Sequence, residues 1–211
     1  MSLGILALQG ALQPHRQKLT ALGVDAVFVR TEGELSACDG LILPGGESST
    51  LLNLIDHYRL REPIVAFAGS RPVWGVCAGA ILMAQRVENP RQESLGLIPM
   101  TVRRNAYGRQ NESFIAPVVF RDAGLAKTER EGVFIRAPSI IRFASSVQVL
   151  ADHRGDPVAL RYGLHLVTTY HPELSASDEF HALFASLCRQ AVTNPASRDT
   201  GRPDEVMPTP N

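Results

Sequence analysis

The chain has 211 residues, enough for one domain with a sizeable core. Hydrophobic residues make up 45% and charged residues 20%, an ordinary globular balance. Its 21 Lys and Arg match 21 Asp and Glu, and no basic cluster offers a surface for nucleic acid or an anionic membrane. No apolar run reaches the roughly 18 residues of a membrane helix. The short apolar stretch 3–8 has no basic residue before it and reads as a first strand, not a signal peptide. Three widely spaced cysteines (Cys38, Cys77, Cys188) argue against a disulfide framework and for a reducing, cytoplasmic setting.

The first half of the chain alternates strand and helix. After the strand at 3–8, apolar spacing predicts a helix over 13–22 that stops at Gly23. Strands follow at 26–29 and 40–43. Ser48 or Ser49 is placed to cap a helix running to about Leu60. A short helix at 63–68 and a strand at 73–76 bring the chain to Cys77. This order implies an α/β fold of three layers, a mostly parallel central sheet with helices on both faces. Ligands of such sheets bind beyond the C-terminal ends of the strands.

The second half is β-rich. Short strands are predicted at 101–103, 114–120, 133–136, 147–151, 158–160 and 164–169. Arg154-Gly155-Asp156 and Tyr162-Gly163 read as hairpin connections. A closing helix spans 178 to about 191, with Leu183, Phe184 and Leu187 inward. Residues 1–191 are therefore expected to form a single domain. Residues 192–211, rich in Pro, Asn, Arg and Asp, are expected to form a flexible tail.

Cys77 lies in Trp74-Gly75-Val76-Cys77-Ala78-Gly79, a buried strand turning into a helix. A thiol there is held out of the sheet beside the unpaired N–H groups of a helix N-terminus. Those groups favour a thiolate and an oxyanion. A base is needed, and Thr169-Tyr170-His171-Pro172-Glu173 supplies one at another strand end. His171 suits proton transfer, and Glu173 suits holding the far ring nitrogen in one tautomer. Cys38 and Cys188 read as small buried hydrophobes. His15, His57, His153, His165 and His181 read as surface or packing residues.

Pro44-Gly45-Gly46-Glu47-Ser48-Ser49 is either a tight turn feeding a capped helix or an oxyanion loop. In the second reading the N–H of Gly46 combines with that of Ala78 to hold a reacting oxygen. The lysine and spacing of a phosphate loop are missing. Arg103-Arg104 and Ile135-Arg136 place arginines at strand ends. They are either solvated or forks for a substrate carboxylate. Nothing in the pattern calls for a metal or a cofactor.

Together, the Gly-Gly run, the Gly-x-Cys-x-Gly elbow and the His-x-Glu pair resemble the class I, triad-type glutamine amidotransferases, whose fold is flavodoxin-like. Further stretches narrow the resemblance to the glutaminase subunits of pyridoxal 5′-phosphate synthase. They are Leu8-Gln9-Gly10-Ala11, Leu41-Ile42-Leu43-Pro44-Gly45-Gly46-Glu47-Ser48-Ser49-Thr50, Tyr107-Gly108-Arg109-Gln110, Val133-Phe134-Ile135-Arg136-Ala137-Pro138 and His171-Pro172-Glu173-Leu174.

The resemblance implies hydrolysis of L-glutamine to L-glutamate and ammonia by Cys77, His171 and Glu173. It implies that Gly46, Glu47, Ser48, Arg104, Ile135 and Arg136 contact glutamine. It also implies a (β/α)₈-barrel synthase partner that receives the ammonia to make pyridoxal 5′-phosphate, twelve copies of each subunit, and weak activity without that partner. Two residues depart from the family pattern: Val76 replaces the usual threonine, and Trp74 is bulkier than usual. Both are expected to face the core. Two alternatives remain, a glutaminase of this class serving another acceptor synthase and a non-catalytic regulatory protein on the same fold.

Overall fold

A computed structural model describes residues 1–104, 113–121 and 129–193. In chain order the first half contains β1 (Ser2–Leu6), α1 (Leu12–Ala21), β2 (Asp25–Val29), α2 (Glu32–Ser36), β3 (Gly40–Leu43) and α3 (Ser48–His57). It continues with α4 (Arg61–Ala68), β4 (Val73–Val76) and α5 (Ala78–Met83). The second half adds β5 (Ala84–Glu88), β6 (Ile98–Arg103), β7 (Ser113–Phe120), β8 (Glu129–Ile135) and β9 (Ser139–Phe143). It closes with β10 (Gln148–His153), β11 (Asp156–Tyr162), β12 (His165–Thr168), a 3₁₀ turn (Pro172–Leu174) and α6 (Glu179–Thr193).

A nine-stranded sheet runs β2-β1-β3-β4-β12-β11-β10-β7-β8, beside a three-stranded sheet β5-β6-β9. From β2 to β12 every pairing is parallel. This stretch has the strand order of a flavodoxin-like sheet. From β12 to β8 every pairing is antiparallel. The two hairpins expected at Gly155 and Gly163 join β10 to β11 and β11 to β12.

Alternation along each parallel strand splits the core in two. Leu3, Ile5, Ile42, Trp74, Val76 and Leu166 face one side, with Leu19 of α1 and Phe180, Phe184 and Leu187 of α6. Leu6, Leu41, Leu43, Val73 and Val167 face the other, against α2 to α5 and the small sheet. Both sides of the sheet are thus covered, the condition for a buried parallel sheet. Trp74 and Val76 are fully buried, as expected of core-facing residues.

Four features depart from the sequence reading. The cap of α3 is Glu47, whose carboxylate accepts from the N–H groups of Ser49 and Thr50. Ser48 and Ser49 lie inside the helix, and their hydroxyls donate to Gln92. The short helix α2 was not anticipated, although Thr31 and Glu34 form a capping box at its start. Strands β5 and β9, both short and at the small sheet, were also missed. Helix α6 continues past Ala191 to Thr193. The remainder of the expected tail and the run Tyr107-Gly108-Arg109-Gln110 lie outside the described residues.

Candidate active site

β4 gives way to α5 at Cys77, which takes φ 48 and ψ −98. A non-glycine residue pays a steric cost in this region, and such strain is the mark of a nucleophile elbow. The Cys77 N–H donates to the Thr168 carbonyl at 2.8 Å, tying the elbow to β12. The start of α5 sits tightly on the sheet: a Cβ on Gly79 would lie 2.0 Å from the Leu43 carbonyl oxygen. Glycine at this place lets the helix N-terminus reach the ends of β3 and β4.

His171 follows β12, and its N–H donates to the Val133 carbonyl of β8 at 2.8 Å. Its Nδ1 lies 2.7 Å from Oε1 of Glu173. Pro172 opens the 3₁₀ turn that brings the two side chains together. Cys77, His171 and Glu173 are all buried. Burial works against a charged His171, but its interactions with Cys77 and Glu173 outweigh that and raise its pKa. Burial likewise works against a charged Glu173, and the His171 bond outweighs it, holding the carboxyl low. A carboxylate on one ring nitrogen leaves the other free for proton exchange with a thiol. The Cys77 Sγ also lies 3.8 Å from the Ile135 carbonyl oxygen.

A cavity of about 410 Å³ opens above these groups. Its lining includes Cys77, His171, Gly46, Glu47, Ser48, Arg104, Ile135 and Arg136. All six residues expected to contact glutamine therefore share one cavity with the thiol and the imidazole. Glu173 lies behind His171 and does not line it. Ala78 is buried at the first position of α5, where only its N–H is of use to an oxyanion. Gly45 packs on the His171 ring so closely that a Cβ would come within 2.5 Å of Cε1.

Arg104 already has partners. Its Nη2 donates to Glu47 Oε1 at 3.0 Å, and its Nη1 donates to Gln92 Oε1 at 2.6 Å and Ser49 Oγ at 3.1 Å. Burial works to raise Glu47, yet the N–H groups of Thr50 and Ser49 outweigh it and push its pKa down to about 2. Arg136 stands at the end of β8 with φ 46, a second strained residue at the cavity.

Sequence reasoning missed several groups here. Gly10, Ala11, Ile81 and Leu174 also line the cavity. Behind it, the Gln9 side-chain amide donates to the Glu47 carbonyl and accepts from the Glu47 N–H, both at 3.1 Å. Gln92 joins Ser48, Ser49 and Arg104 through one amide oxygen. No local pattern marks a glutamine for such a role, because its partners are distant in sequence. His15 and His181, read as surface or packing residues, are fully buried, His15 beside Glu173 and His181 against His15. A signal existed for His15: it stands four residues before Leu19, on the buried stripe of α1.

A cysteine elbow and a His–Glu pair meeting at the C-terminal ends of such a sheet define an enzyme of the glutamine amidotransferase type. A solved structure of a glutamine amidotransferase superposes with a TM-score of 0.81 at 38% identity, over 89% of this chain and 98% of its own. A putative GMP synthase component from Thermoplasma acidophilum shares the fold at 17% identity, with a TM-score of 0.71 over 92% of this chain and 96% of its own.

The family model of the SNO glutamine amidotransferases matches residues 5–190. The chain belongs to that family. It is 48% identical to pyridoxal 5′-phosphate synthase subunit PdxT of Solibacter usitatus, over 87% of this chain and 97% of the relative. It is 42% identical to the subunit of the same name from Geobacillus thermodenitrificans, over 92% of this chain and 98% of the relative.

Proposed function

We propose that this chain hydrolyses L-glutamine to L-glutamate and ammonia, and that the ammonia feeds a synthase subunit making pyridoxal 5′-phosphate. The observation that carries the reading is the convergence of Cys77, a Glu173-held His171 and two arginines on one cavity. The names of the relatives support the choice of acceptor.

In this reading the Cys77 thiolate attacks the side-chain amide carbon of glutamine. The N–H groups of Gly46 and Ala78 hold the oxygen that becomes negative. His171 gives its proton to the departing nitrogen, which leaves as ammonia, and a thioester remains on Cys77. His171 then takes a proton from water as the water attacks the thioester. The carbon–sulfur bond breaks, glutamate leaves, and the Cys77 thiolate and the His171 imidazolium are restored. Glu173 stays ionised throughout and holds Nδ1–H in place. At the far end of the cavity, Arg104 and Arg136 suit the α-carboxylate, and the Glu47 carboxylate suits the α-ammonium.

The test is glutamate release by wild type and Cys77→Ala, each with and without the synthase partner. Turnover unchanged in Cys77→Ala sinks the mechanism. Full activity without a partner removes the dependence on docking.

We further infer that the partner is a (β/α)₈ barrel and that the assembly holds twelve copies of each chain. The mass of the co-purified complex checks this, and the identity of the synthase recovered separates it from a glutaminase serving another acceptor. A catalytic Cys77 must stay reduced, which fits a cytoplasmic setting.

A further inference from the structure

A line of buried polar groups continues beyond the Glu173 carboxylate. His15 of α1 and His181 of α6 are both fully buried. His15 Nδ1 lies 3.0 Å from His181 Nε2. On its other side, His15 Nε2 faces Glu173 Oε2 across 3.8 Å. Neither of those two atoms has a hydrogen-bond partner among the described residues, and His181 Nδ1 has none either. Glu173 Oε1, meanwhile, is taken by His171.

Of the two neutral tautomers of His15, one suits this line. If His15 carried its proton on Nδ1, a bare Nε2 lone pair would face a carboxylate oxygen inside the core, where unpaired polar atoms are costly. With the proton on Nε2, His15 points a donor at Glu173 Oε2. Its Nδ1 then accepts from the Nε2–H of His181. The His15 Nε2–H then faces Glu173 Oε2 as an electrostatic contact at 3.8 Å, and the His181 Nδ1 lone pair is left without a partner, which costs less than an orphaned N–H.

We propose that His15 and His181 are positioning residues of the active site: His181 sets the tautomer of His15, and His15 holds the Glu173 carboxylate that orients His171. A neutral donor suits this place better than a lysine or arginine. A second cation would compete with the His171 imidazolium for the same carboxylate. Burial, the largest influence on both rings, pushes His15 down to about 4 and His181 down to about 2. Glu173 pulls His15 the other way and His171 adds to its lowering, while His15 and Lys18 add to the lowering of His181.

The Trp74 indole packs edge-to-face on both rings, with centroids 5.6 Å from His15 and 4.8 Å from His181. Its Nε1–H donates to Thr168 Oγ1 at 3.3 Å. The indole therefore keeps the pair from rotating away. This gives a local purpose to a side chain bulkier than the one usual at its place.

The inference rests on reading Cys77, His171 and Glu173 as the catalytic groups. Three variants separate its parts. In His15→Gln the side-chain Nε2 lies as many bonds from Cα as the imidazole Nε2, so a donor toward Glu173 survives. In His15→Asn the amide reaches only the Nδ1 position, on the His181 side. His15→Leu keeps bulk and loses both.

Glutamine hydrolysis is measured in the complex with the synthase partner, once thermal melts confirm folding. We expect kcat to fall about tenfold in His15→Leu and His15→Asn, with KM within about twofold, and His15→Gln to stay within about threefold of wild type. Wild-type kcat in His15→Leu overturns the proposal. In the full-length chain labelled with ¹⁵N-histidine, long-range proton–nitrogen spectra at pH 7 are expected to show His15 protonated on Nε2 alone. A ring protonated on Nδ1, or on both nitrogens, overturns it even if the leucine variant fails to fold. If Cys77→Ala keeps its turnover, it is the catalytic reading that fails.

Discussion

On the His171 side of the cavity the polar groups are buried and aligned, whereas on the Arg104 side the charges are partly exposed and paired with one another. His171 and Glu173 are 7% and 0% exposed at the side chain, against 15% for Arg104 and 42% for Glu47. The first wall is already arranged for proton transfer. The second has its charges in place but bonded to the protein itself.

In the proposed reading, substrate binding to the second wall is an exchange of partners. An exposed ion pair contributes only about 0–1 kcal/mol, so in that reading the α-carboxylate and α-ammonium of glutamine displace Arg104 from Glu47 at small cost. The same substitution on the first wall leaves a buried charge without a partner, which costs several times more. The two walls should accordingly respond differently to mutation, the first in kcat and the second in KM.

The largest effect is expected at the nucleophile, where Cys77→Ala should lower kcat by at least about a thousandfold. Glu173→Gln should lower kcat by about a hundredfold with little change in KM, because the His171 tautomer and its raised pKa are both lost. Steady-state glutamate release measures both. On the other wall, Arg104→Ala should raise KM for glutamine about tenfold and leave kcat within about threefold. A comparable fall in kcat would mean that the walls are not separable. Gln9→Leu should have a smaller effect, a loss of about threefold in kcat, because it removes only the brace on the Glu47 backbone.

Stability sharpens the same contrast through pH. Burial pushes His165 down to about 4, as it does His15. For such groups the unfolded chain binds more protons than the folded one between pH 6.5 and 4. The stability they contribute is fully present above pH 6.5 and is lost as pH falls toward 4. His171 has the opposite sign: its raised pKa contributes stability below 6.5 that is lost as pH rises through its folded value. Urea unfolding at pH 7, 6, 5 and 4 should show a falling midpoint. The fall should be shallower in His165→Asn, whose amide oxygen reaches the place of the His165 Nδ1 that now accepts from the Val73 N–H at 3.2 Å.

Much of the fold was legible because its signals are local. Apolar runs bounded by glycine or charge located the five parallel strands to within two residues. The elements that were missed, α2, β5 and β9, are short, and β5 and β9 have only partly buried patterns. The Glu47 cap was misread because serine is the commoner cap. The two serines lie inside the helix, where their hydroxyls donate to Gln92, more than forty positions away.

From the residue order alone came the α/β class, the elbow at Cys77 and the pairing of His171 with Glu173. Those follow from short-range rules: strand and helix periods, glycines at a tight turn, a proline-stiffened His-Pro-Glu. Tertiary structure alone decided that Arg104 pairs with Glu47, that Gln9 braces the Glu47 backbone, and that His15 stands beside Glu173 with His181 behind it. Each of these joins side chains separated by tens of residues. Only the burial of α1 and α6 against one face of the sheet brings two histidines to a carboxylate in the closed interior, where the polar groups must answer one another.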